Sequence, residues 1–203
     1  GLISSAWGGT AIHAWSSMQS LEKYPKIMAG RDQKLKEATQ ITMEELAREN
    51  QVIHAEWKAA KERSKTTGEK VRQWPKLKRH PIESQDYHAN LFNGMIHPLQ
   101  PYALQGVIWY QGEANAGSHE EAKLYRDLLE NMTMSWRADW NDPFSFYAVQ
   151  LVNFMAPVKS AVQDSAWAHI RQSFLDYHKE VERAGIVVGI DVGDAWDIHP
   201  KDK

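Results

Sequence analysis

The chain has 203 residues, which is enough for one domain with its own apolar core. Its 24 basic and 26 acidic side chains give a formal charge of -2, so no strong overall field exists to recruit nucleic acid or an anionic membrane. Cysteine is absent, which excludes disulfides, a thiolate nucleophile and cysteine metal sites.

The apolar runs of the sequence are short, and none of them approaches the roughly 20 residues that a membrane-spanning helix needs. We therefore predict neither a membrane nor nucleic acid as a partner. Buried strands are expected at residues 1–5, 106–110, 146–151 and 185–191, because each stretch is short, apolar and rich in β-branched side chains.

Helical patterns alternate with these strands. Ser118 and Glu121 have the spacing of a capping box, which predicts a helix over residues 119–138. A second helix is expected over residues 163–183, where apolar side chains recur at helical spacing. Strands that alternate with helices predict an α/β fold with a parallel sheet.

An insertion is expected at residues 32–90. Residues 32–63 are charged and favour a helical arm, and residues 64–81 form a basic, turn-rich loop with two prolines. The apolar stripe of the arm is approximate and consists of Leu35, Thr42, Leu46, Ile53, Trp57 and Ala60.

A polar turn follows the second predicted strand. Gln111, Glu113 and Asn115 lie between that strand and the capped helix, and ligands of open parallel sheets bind at such turns. The Asn115 amide is a neutral donor suited to an oxyanion, although asparagine is also common in turns for structural reasons. Glu113 is a candidate general acid or a residue that orients neighbouring donors.

Two further turns have the same position relative to a strand. Gly8 and Gly9 follow the first strand, where glycine allows a tight turn and the close approach of a backbone N–H to a ligand. After the last strand come Asp191, Asp194, Asp197 and His199. These residues fit either a histidine general base oriented by a carboxylate or a carbonyl, or a carboxylate metal site, but their spacing matches no EF-hand or zinc helix.

Together these turns resemble the SGNH hydrolases, and specifically their sialate O-acetylesterase branch. The matching segments include WYQGEAN and DIHP, and they cover residues 1–15, 91–116, 146–154, 167–173 and 197–203. The resemblance implies a three-layer α/β/α flavodoxin-like fold with a parallel sheet. It also implies hydrolysis of acetyl esters on sugars by a serine nucleophile and a histidine base, without a metal or other cofactor, in a secreted or periplasmic protein.

Carried over by position, the resemblance makes His199 the base, and it makes Gly9 and Asn115 the donors of the oxyanion hole. Gly8, Gln111 and Glu113 are then supporting or substrate-binding residues. The aspartate that the family pattern has three residues before the histidine is Trp196 here. We assign the orienting role to Asp197, with Asp194 and a main-chain carbonyl as alternatives.

The serine-bearing "GQSN"-like turn of the family does not occur in the sequence. We expect the serine upstream of Gly1, so that residues 1–203 are a partial esterase domain whose partner is the remainder of that domain. The expected substrate is an acetylated carbohydrate, with O-acetylated sialic acid favoured. The alternatives are an acetylxylan esterase, a glycosidase that uses Glu113 with Asp194 or Asp197, and an inactive sugar-binding fragment.

Overall fold

The fold is that of a computed structural model, which describes residues 1–156 and 164–198. Three of the four predicted strands form one parallel sheet in the order β1 (Gly106–Trp109), β2 (Ser145–Gln150) and β3 (Ala184–Val188). Val107 is paired with Phe146, which is paired in turn with Ala184. The α/β prediction with a parallel sheet is therefore confirmed for this part of the chain.

The prediction of a strand at residues 1–5 is wrong. Leu2 and Ile3 are exposed, and no strand of the described residues pairs with them. A strand exists only where a neighbouring backbone supplies hydrogen bonds, and a local apolar run does not specify that neighbour.

The helices of the structure are α1 (Met18–Leu21), α2 (Pro25–Ala38), α3 (Met43–Thr67), α4 (His119–Trp140) and α5 (Ala166–Glu180). The predicted start of α4 is confirmed, because the Ser118 side chain accepts a hydrogen bond from the Glu121 N–H at 3.2 Å. Ser165 caps α5 in the same way. Among the described residues, no helix is long and apolar enough to cross a membrane.

The predicted helical arm is two helices rather than one. Thr42, expected on the apolar stripe, is instead the N-cap of α3, and it forms a reciprocal capping box with Glu45. This cap ends the continuity with α2, since an N-cap residue has extended rather than helical dihedral angles. The basic loop then runs back along α3, where Trp57 Nε1 donates to Arg72 O at 2.9 Å.

The core lies between one face of the sheet and helices α4 and α5. Phe146 of β2 is fully buried and packs edge-on against Trp136 of α4 and Tyr177 of α5. The opposite face of the sheet is open, with Ile108 76% exposed and Tyr147 about half exposed. The carboxyl ends of all three strands meet at one edge, because the strands are parallel.

Candidate active site

The turn after β1 is anchored by the side chain of Asn115. Residues Glu113–Asn115 form a single 3₁₀ turn directly before α4, and Asn115 is 6% exposed. Its Oδ1 accepts hydrogen bonds from the Ile12 N–H and from Gln111 Nε2, both at 3.0 Å. Because a backbone N–H can only donate, the amide is oriented with Oδ1 towards Ile12. Among the described residues none accepts a hydrogen bond from Asn115 Nδ2, so two donors remain for a ligand.

Gln111 connects this turn to the glycine turn. Its Nε2 donates to Thr10 O at 2.9 Å as well as to Asn115 Oδ1. Its Oε1 accepts from the Tyr125 hydroxyl at 2.9 Å, and that hydroxyl accepts from Trp109 Nε1 at 3.1 Å. The complete burial of Tyr125 raises the pKa of its hydroxyl, which therefore stays a neutral donor.

The glycine turn lies beside these residues and faces open space. Gly9 has a φ of 73°, in the left-handed region that favours glycine. A Cβ added to Gly8 or Gly9 would have no atom within 4 Å. In the described part of the chain no group accepts a hydrogen bond from the Gly9 N–H. The structure therefore brings the glycine turn and Asn115 together through Thr10 and Gln111.

Asp86 supports the glycine turn from the predicted insertion. Its Oδ1 accepts from the Ala11 N–H at 2.7 Å, and its backbone oxygen is 3.1 Å from His13 Nε2. The ammonium group of Lys34 on α2 lies 3.2 Å from the same backbone oxygen. Asp86 thus fixes the residue next to Thr10, and the segment predicted to be an insertion contributes to the scaffold of the site.

Glu113 lies in the same 3₁₀ turn as Asn115 and is partly buried. Its charge contributes to the raised pKa of the nearby Tyr110 hydroxyl, although burial is the larger cause. Within residues 1–156 and 164–198 its carboxylate makes no hydrogen bond or ion pair. The orienting contacts that we considered for Glu113 are instead made by Gln111 and Asn115.

The loop after β3 is bound to the loop after β2. Asn153 Oδ1 accepts from the Gly193 N–H at 3.0 Å, and a Cβ on Gly193 would collide with Asn153. Asp194 Oδ1 accepts from the N–H groups of Trp196 and Asp197, at 2.7 and 3.2 Å. Asp194 is therefore a turn-forming residue, and Asp197 follows at the end of that turn. His199 lies outside the described residues.

The family described as carbohydrate esterase, sialic acid-specific acetylesterase, matches residues 64–189, which is more than half of the chain. The chain belongs to this family. The matched range includes Gln111, Glu113 and Asn115, whereas the glycine turn and the loop after Gly189 lie beyond it.

Comparison with whole proteins of related sequence extends the similarity to both ends of the chain. The chain is 29% identical to a sialate O-acetylesterase of Mus musculus and 27% identical to one of Rattus norvegicus, in each case over the whole chain and 36% of the relative. The crystal structure of a carbohydrate acetylesterase from Xanthomonas citri has 31% identity and a TM-score of 0.59, over 98% of this chain and 32% of that one. The chain therefore spans about a third of the length of these esterases.

Sequence reasoning missed two residues that hold this esterase-family site in shape. Asn153 follows β2 just as Gln111 follows β1, so the same search for polar residues after strands would have found it. Asp86 gave no such signal, because it lies 75 residues from Ala11 in a segment interpreted as an insertion. Only the folded structure brings that carboxylate to the glycine turn.

Proposed function

We propose that this chain supplies the oxyanion hole and the histidine base of a carbohydrate O-acetylesterase. The observation that carries the proposal is the orientation of Asn115. Its Oδ1 is held by Ile12 and Gln111, so its Nδ2 is preorganised as a donor at the carboxyl edge of the sheet. Donors fixed in this way stabilise a developing negative charge without reorganising during the reaction.

In this proposal a serine upstream of Gly1 attacks the acetyl carbonyl while His199 takes its proton. The Gly9 N–H and Asn115 Nδ2 hold the tetrahedral oxyanion. His199 then protonates the departing sugar hydroxyl and activates a water molecule, which releases acetate from the acyl-serine. Asp197 is the proposed orienting residue of His199, and Gly8 and Gln111 support the two oxyanion donors.

The substrate proposed is a sugar O-acetyl ester, with O-acetylated sialic acid preferred to acetylated xylan. The description of the family and the names of the mammalian relatives support this preference. The complete domain is proposed to have the three-layer α/β/α flavodoxin-like arrangement. The open face of Ile108 and Tyr147 supports it, because a second helical layer would bury those side chains.

The alternative is a glycosidase that uses Glu113 with Asp194 or Asp197. The pair with Asp194 is less well supported, because the Asp194 carboxylate accepts two backbone N–H groups of its own turn. The test is to incubate the full-length protein with 9-O-acetylated sialic acid, acetylated xylan and an unacetylated glycoside. We expect acetate release, fastest from the sialic acid, with loss of the activity in His199→Ala. Cleavage of the glycoside without acetate release would refute the proposal.

A further inference from the structure

Three potential metal ligands meet where α4 and α5 begin. His119 is the first residue of α4, Asp164 directly precedes the N-cap of α5, and His169 lies in the first turns of α5. One ligand atom from each of the three side chains lies within 4.8 Å of the others. None of these residues takes part in the proposed ester hydrolysis, so the cluster requires its own explanation.

Contacts between α4 and α5 hold the backbones of His119 and His169 at a fixed separation. Ser173 of α5 donates to Ala122 O of α4 at 2.7 Å, one turn from His169 and His119 respectively. Farther along the same interface, the rings of Tyr125 and Phe174 lie 5.2 Å apart. Sites built on packed helices keep their ligands in place without needing the ligand to assemble them.

The distances approach those of a tetrahedral site. His169 Nε2 lies 2.6 Å from Asp164 Oδ1, and His119 Nδ1 lies 3.8 Å from Asp164 Oδ2. Ligands that bind zinc at about 2.1 Å in a tetrahedron are separated by about 3.4 Å. A bound ion would replace the direct His169–Asp164 hydrogen bond. The side chains of His119 and Asp164 lie at the surface, 48% and 74% exposed, where neighbouring atoms leave them room to adjust.

We propose that His119, Asp164 and His169 bind one divalent transition-metal ion of the zinc class and thereby join the starts of α4 and α5. Two imidazoles and one carboxylate are a donor set that such ions prefer, and three protein ligands leave a fourth position open. The positive ends of the two helix dipoles oppose a bound cation only weakly, because the dipole effect is small at exposed sites. The competing explanation is a metal-free cluster, in which His169 is hydrogen-bonded to Asp164 at 2.6 Å and the ring of His119 packs edge-on against the ring of His169.

The experiment measures Zn²⁺ and Co²⁺ binding to the full-length protein by calorimetry and by visible absorption, with thermal melting as a second readout. The variants are His119→Ala, His169→Ala and Asp164→Asn. His178→Ala is the matched control, since His178 is an exposed histidine of α5 outside the cluster. None of these readouts depends on esterase activity.

We expect Zn²⁺ to bind the cluster with a stoichiometry of one and to raise the melting temperature of the wild type and of the control. Removing the hydrogen-bond partner of a metal ligand weakens metal binding by roughly tenfold or more. Removing a ligand itself is therefore expected to weaken Zn²⁺ binding at least as much. His119→Ala is the decisive variant, because it removes one proposed ligand and leaves the His169–Asp164 hydrogen bond in place. Zn²⁺ affinity in His119→Ala equal to that of the control would overturn the proposal, as would a wild type that binds neither ion.

Discussion

After Asn115, the most informative single residue is Gln111, because both the nitrogen and the oxygen of its side-chain amide form hydrogen bonds. Nε2 donates to Thr10 O and Asn115 Oδ1, and Oε1 accepts from Tyr125. This one side chain therefore joins the glycine turn, the asparagine turn and α4, in addition to the direct hydrogen bond from the Ile12 N–H to Asn115. An isosteric carboxylate would turn both donor contacts into contacts between acceptors.

We expect Gln111→Glu to lower the free energy of unfolding by at least about 2 kcal/mol and to reduce acetate release, because a partly buried charge would face two acceptors. Urea denaturation and the acetate assay measure the two effects. Gln172→Glu is the control, since Gln172 is exposed and its side-chain amide donates to the carboxylate of Asp176 on the surface of α5. Equal stability and equal rates in Gln111→Glu and the control would show that the bridge has no such role.

Among the elements, the contact between α2 and residues 86–89 is the one that pH should loosen. His88 stacks on His13 with ring centroids 4.2 Å apart, and its Nε2 donates to Ile27 O of α2. Burial, and then the charge of His13, lower the pKa of His88 to about 4. Burial also lowers the pKa of His13, against the opposing charge of Asp86.

A histidine with a lowered pKa in the folded state binds protons more readily when the chain is unfolded, where its pKa is about 6.5. The stability that His88 contributes is therefore complete above about pH 6.5 and is lost as the pH falls towards 4. We expect the melting temperature to fall between pH 7 and pH 5, and to fall less in His88→Gln, which keeps a donor for Ile27 O. Equal falls in both proteins would contradict this role of His88.

Across the whole molecule, local patterns predicted the elements better than they predicted contacts. The start of α4 was readable because Ser118 and Glu121 are three residues apart, and β1, β2 and β3 were readable as short apolar runs. The strand at residues 1–5 was predicted wrongly, because strand pairing depends on a distant backbone. Thr42 was assigned to an apolar stripe although it is the N-cap of α3, since a cap residue and a stripe residue cannot be distinguished in an approximate helical pattern.

The candidate site was predictable to the extent that its residues follow strands. Gln111 and Asn115 were found by that rule, and the parallel sheet explains why it works, since the strands end at a common edge. Asp86 was not predictable, because its contact with Ala11 joins residues 75 positions apart and depends on how the intervening helices fold back. The functional roles of all these site residues, including those of Asn115, Gly9, Asp197 and His199, remain predictions.

The central claim, that Asn115 Nδ2 stabilises the oxyanion, is tested most directly by the turnover of Asn115→Asp in the full-length protein. Aspartate keeps an acceptor for the Ile12 N–H but lacks the donor, so the turnover number for acetate release is expected to fall by about 10²–10³. Asn131→Asp is the control, because it places the same charge at another buried asparagine. Asn131 is far from the proposed oxyanion hole, and its Nδ2 donates to Ser20 O. A fall of less than tenfold in Asn115→Asp, with the control unchanged, would mean that Asn115 only shapes the turn.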